Sequence, residues 1–145
     1  MAVKRDLQHA IRLDPGTLLD LAQAIVELAI ARVRLSRRIA QDLRNYQLPS
    51  LAGSASPAAD RLIERVSFAI PRMGARVPWR ADCLVQALAA QRWLGRGGVL
   101  SSIVVGVRKP AQTDLEAHAW LVAGERIVTG GQVDAYNAIF NRPTA

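Results

Sequence analysis

The chain has 145 residues, half of them hydrophobic and 21% charged, with a net charge of +7. That is enough for one domain with a real core, and the composition excludes a disordered or fibrous protein. A basic chain suits an acidic partner. However, it has few aromatics and no Arg/Lys stripe interleaved with them, which argues against nucleic acid.

The N-terminal segment, Met1-Ala2-Val3-Lys4-Arg5-Asp6-Leu7, has no continuous apolar run and reads as no secretory signal. Asp14-Pro15-Gly16-Thr17 reads as a turn. After it, Leu18, Leu21, Ala22, Ile25, Val26, Leu28, Ala29, Val33 and Leu35 recur at helical spacing. A helix from about Thr17 to about Arg44 is expected, with Asp20, Gln23, Glu27, Arg34, Arg37 and Arg38 on its polar face. Its most apolar window, Leu18 to Val33, carries Asp20, Glu27 and Arg32, so no stable membrane insertion is expected and the chain reads as cytoplasmic.

Residues 47–56 are rich in Pro, Ser, Gly and Ala and read as a linker between a helical region, 1–46, and a core, 57–145. Ser56-Pro57 marks a helix start, and Leu62, Ile63, Val66 and Ile70 follow in helical register. Pro71 and Gly74 are expected to end that helix. The next one starts at Cys83, with Asp82 as its cap, and is stopped by Gly95, Gly97 and Gly98. The period then changes: Ser101 to Val107, Ala117 to Val122 and Arg126 to Thr129 are strand-like, the last two joined at Gly124-Glu125 as a hairpin. Val133 to Phe140 reads as a last helical turn. Helices followed by antiparallel strands give an α+β domain.

Cys83 is the only cysteine and falls at a helix start; His118, one of two histidines, falls on a later strand. A thiol reacts as thiolate, which a helix N-terminus and a neighbouring imidazolium both stabilise. This is the layout of a cysteine nucleophile with its base. Taken singly, each residue reads more often as core: a small buried thiol, a satisfied strand histidine. One cysteine forms no internal disulfide, and no Cys/His cluster suggests a metal. A base works better with its far nitrogen held. Pairing about Gly124-Glu125 brings Gly130 and Gly131 opposite His118, where no acid stands. Asp134, just beyond, is the candidate orienting carboxylate; capping the last segment is its alternative role. Glu116 is a weaker candidate. The Cys83 N–H is one oxyanion donor, and the Trp79 indole is considered for a second.

Several segments together carry a resemblance: Pro78-Trp79-Arg80 before Cys83-Leu84, Val105-Gly106-Val107, His118-Ala119-Trp120-Leu121, and Thr129-Gly130-Gly131. In these the chain resembles the leader peptidases of lasso-peptide biosynthesis, a transglutaminase-like, papain-related group of cysteine proteases, over about residues 57–140. The resemblance implies a transglutaminase-like core with Cys83 as nucleophile and His118 as base, and no cofactor or metal. It also implies a leader–core precursor peptide as substrate, a separate leader-recognition protein, and a lasso cyclase acting on the product. The aspartate expected after the histidine is replaced by Thr129-Gly130-Gly131. A transamidase or acyltransferase with the same thioester, and a non-catalytic peptide-binding module, remain alternatives.

Overall fold

A computed structural model describes residues 14–38, 56–111 and 114–140. Three helices and four strands follow in chain order: α1 (Pro15–Arg38), α2 (Pro57–Gly74), α3 (Cys83–Arg96), β1 (Ser102–Arg108), β2 (Glu116–Ala123), β3 (Arg126–Thr129) and β4 (Asn137–Phe140). The strands form one antiparallel sheet in the order β3-β2-β1-β4. The fold is α+β, as the patterning implies.

Local chemistry sets the helix starts. Asp14 accepts from the Thr17 N–H at 2.8 Å, with Pro15 as the first helical residue, so the expected turn is instead the cap and first turn of α1. The Thr17 bonds hold the Asp14 carboxyl below its ordinary value. Ser56 caps α2 by accepting from Ala59 N–H at 3.1 Å, again with proline first. Asp82 caps α3, accepting from Val85 N–H at 3.2 Å, which makes Cys83 the first helical residue.

Two sequence expectations on helix ends are corrected. The end of α2 at Gly74 is as expected, but Pro71, expected to end the helix together with Gly74, lies inside it. Its ring removes one backbone donor, but Ala75 still donates to the Pro71 carbonyl at 3.2 Å and closes the last turn. The segment from Val133 to Phe140 is no helical turn: β4 pairs with β1 across Gly106↔Ala138 and Val107↔Asn137. The end of α1 expected near Arg44 lies outside the described residues.

The buried face of α1 is also only partly the expected one: Leu28 is buried and Arg34 exposed as their spacing implies. Asp20 and Glu27, assigned to the polar face, are buried, while Leu18, Leu19, Ile25, Val26 and Val33 are exposed. The acids turn inward because arginines meet them there. Asp20 takes Arg65 of α2 at 2.6 Å, a bond that raises the Arg65 pKa. Glu27, fully buried, takes Arg92 and Arg96 of α3, both at 2.7 Å. Between them Ala24, Leu28 and Ala31 enter the same hydrophobic core as Val66 and Ile70 of α2, Ala90 and Leu94 of α3, and Ala119 and Leu121 of β2.

Candidate active site

β2 alternates as a strand must. Ala119, Leu121 and Ala123 face the helical core. His118, Trp120 and Val122 take the other face. Trp120 is buried there against glycines: a Cβ on Gly106 would stand 2.7 Å from its ring, and one on Gly130 would collide with its Cβ. His118 lies beside it, 6.0 Å from the Trp120 ring and 5.0 Å from Tyr136. Arg108 sits over the far part of this group, 4.9 Å from the Tyr136 ring, and is fixed by Glu116 at 2.6 Å. That hydrogen bond raises the Arg108 pKa, and it occupies the carboxylate of Glu116, the weaker sequence candidate for orienting the histidine.

The far nitrogen of His118 is held by the main chain. Nε2 lies 2.7 Å from the Gly130 carbonyl oxygen. A carbonyl only accepts, so Nε2 carries the proton and the neutral ring keeps Nδ1 free to accept one. The turn that brings the carbonyl there uses φ +107° at Gly130 and φ +66° at Gly131, a region glycine enters without strain. The sequence register expected these two glycines opposite His118; the ladder instead shifts between Leu121 and Val122 to pair Leu121 with Thr129, and the Gly130 carbonyl reaches the ring from beyond it. Asp134 is exposed on the turn before β4 and, among the described residues, makes no hydrogen bond or ion pair.

Cys83 is free and half-buried at the first turn of α3. That turn leaves the Cys83 and Leu84 N–H groups without intrahelical partners, at the positive end of the helix dipole. Asp82 is occupied as the cap, with Arg80 3.7 Å away. One turn along, Gln86 donates Nε2–H to the Ala81 carbonyl at 2.9 Å, and its amide packs so closely on Gly74 that a Cβ there would stand 2.8 Å from it. Gln86 has no motif around it, and sequence reading missed it. Trp79, considered as an oxyanion donor, instead packs against the core with its indole N–H enclosed and unpartnered.

Cys83 and His118 line one cavity of about 460 Å³. Gln86, Ser67 and Pro71 of α2, and the run from Ile127 to Gly131 complete its wall. A thiol at a helix N-terminus and a strand histidine with an anchored tautomer thus share one solvent space, and the order helix then sheet matches a known group. The model of the transglutaminase-like superfamily matches residues 22–141. The chain belongs to the transglutaminase-like superfamily. No curated protein and no solved structure matches it. The superfamily match begins within α1, which shares the core of the rest. Membership fits a cysteine peptidase or transamidase kind of activity. Among the described residues no helix is long and apolar enough to cross a membrane.

Proposed function

We propose that this transglutaminase-like protein is a cysteine peptidase that removes the leader from a ribosomally made lasso-peptide precursor. The observation that carries the catalytic reading is the shared cavity of Cys83 and His118, with Nε2 of the histidine anchored on the Gly130 carbonyl. The resemblance of the Cys83, His-Ala-Trp and Gly-Gly segments to leader peptidases supports the choice of substrate.

The chemistry balances without a cofactor. The Cys83 thiol gives its proton to Nδ1 of His118, and the sulfur attacks the carbonyl at the leader–core junction. The oxyanion is met by the N–H groups that open α3, with the Gln86 carboxamide as the adjacent donor. The imidazolium protonates the leaving nitrogen, the C–N bond breaks, and the core departs with a free amine. Water then loses a proton to His118 and adds to the thioester; the leader leaves as a carboxylic acid and the thiol is restored. In this reading the Gly130 carbonyl, 2.7 Å from Nε2, takes the orienting role, and Asp134 is the alternative third member.

In this reading the step is cytoplasmic, a separate leader-recognition protein presents the precursor, and a lasso cyclase takes the amine. The test is to incubate the chain with the precursor, with and without that recognition protein, and to read the masses. Free leader carboxylate and free core are expected. Cys83→Ala and His118→Ala should abolish both products, while peptide affinity in Cys83→Ala stays within a few-fold. An amine adduct of the leader would establish the transamidase alternative instead. Full activity of Cys83→Ala would sink Cys83 as the nucleophile, and peptide binding without any cleavage by the wild-type chain would leave the binding-module reading.

A further inference from the structure

The wall of the catalytic cavity contains five consecutive residues, Ile127, Val128, Thr129, Gly130 and Gly131. One face of a strand presents only alternate residues. An unbroken run therefore means that the cavity borders the main chain along the edge of β3 and the turn after it. β3 is the outermost strand of the sheet, and among the described residues it pairs with β2 alone. Its other edge keeps a row of unpaired N–H and C=O groups, a template for one more strand.

The surroundings fit a bound peptide. The opposite wall is the C-terminal half of α2, through Ser67 and Pro71. Ile127 exposes an apolar side chain. Thr129 is buried with its hydroxyl unpartnered, a polar group that the folded chain leaves unused. At the far end Arg126 reaches back to α2, 3.6 Å from Asp60 and 3.5 Å from Glu64, and closes off the groove. At the near end lie Cys83 and His118. At about 3.3 Å per residue, the stretch between these limits takes roughly four extended residues.

We propose that the edge of β3 is the substrate-binding strand, and that the precursor adds to the sheet there in extended form with its scissile bond over Cys83. The occupant is the leader segment on the acyl side of that bond. The amine product has to depart so that water can take its place beside His118, so the contacts that persist through the thioester belong to the acyl side. Main-chain pairing supplies affinity, and alternate side chains facing α2 supply selectivity. This inference rests on the peptidase reading for the identity of the peptide, but it concerns binding alone.

The experiment separates the two. A synthetic peptide spanning the leader–core junction is N-methylated at one backbone position at a time over the last residues of the leader. Its affinity is measured with Cys83→Ala protein, with Cys83→Ser as a second non-cleaving variant and the recognition protein held constant. Strand pairing predicts a loss of about tenfold at every second position and little change between, because only alternate N–H groups point at the partner strand. Equal effects at neighbouring positions, or none at any, would overturn it. If the wild-type chain fails to cleave the unmethylated peptide while the alternation persists, the peptidase reading falls and the binding strand stands.

Discussion

A Cβ at Gly130 would collide with the Cβ of Trp120 and lie 3.1 Å from its Cα and 3.3 Å from Nε2 of His118. The backbone there is also left-handed, at φ +107°. A side chain therefore has to push the turn away from β2, and the carbonyl that fixes the histidine tautomer goes with it. Gly130→Ala should lower kcat/KM by about 100-fold, the scale set by misplacing a catalytic group by an ångström. Gly131 shares the positive φ, but a Cβ on it would meet nothing. Gly131→Ala should cost about 1–2 kcal/mol in chemical denaturation and lower kcat/KM less than Gly130→Ala does. The same assay applied to Asp134→Asn should show activity within about two-fold of wild type, far above His118→Ala. A collapse of Asp134→Asn to the level of His118→Ala, in a folded protein, would restore the carboxylate as a triad member and demote the carbonyl.

Between elements, the clamp of Glu27 on Arg92 and Arg96 is the joint most exposed to mutation. The carboxylate is fully buried, while the two guanidiniums are 27% and 49% exposed. That asymmetry decides the cost. Removing both arginines leaves a charge in the core that has lost its two guanidinium partners and keeps the Gln23 amide, 2.7 Å away. Removing the carboxylate leaves two arginines that can turn to water. Arg92→Ala with Arg96→Ala should destabilise by about 3–5 kcal/mol, and Glu27→Met by roughly 1 kcal/mol or less, in urea unfolding. Equal losses would mean that packing volume rather than charge holds α1.

The clamp also explains what could be read from the sequence and what could not. Signals that act within a few residues survived: Ser56 and Asp82 as caps, the Gly124-Glu125 hairpin, the β-branched run of β1. The register that placed Gly130 opposite His118 did not, because a bulge between Leu121 and Val122 shifts the ladder to Leu121↔Thr129; Gly130 reaches the ring only through its carbonyl. The inward turn of α1 depends on arginines about 45 to 70 residues away in sequence, which periodicity does not register. β4 depends likewise on a ladder with β1; four residues carry too little pattern of their own. Within the site, Cys83 and His118 were legible because their residue types are chemically rare. Gly130 acts through a carbonyl every residue possesses, and Gln86 through an amide common on any helix.

Across the whole molecule, the inward acids redistribute charge. The chain carries +7, and α1 spends Asp20 and Glu27 on the interior. α1 turns Leu18, Ile25, Val26 and Val33 outward, with Arg34 exposed beside them, and the sequence continues with Arg37 and Arg38. Two copies of so basic a chain repel each other, so self-association through this surface is disfavoured, and an acidic presenting partner is complementary to it. Replacing Arg34, Arg37 and Arg38 by glutamate should weaken association with the leader-recognition protein by about tenfold at low salt. The difference from wild type should shrink as ionic strength passes about 0.1 M, where charges more than roughly 10 Å apart are screened. Cleavage of a short junction peptide, which needs no presentation, should stay within a few-fold. A tenfold loss there as well would mean that the substitutions disturb the fold through α1. Unchanged association at low salt would show that the partner reads another surface.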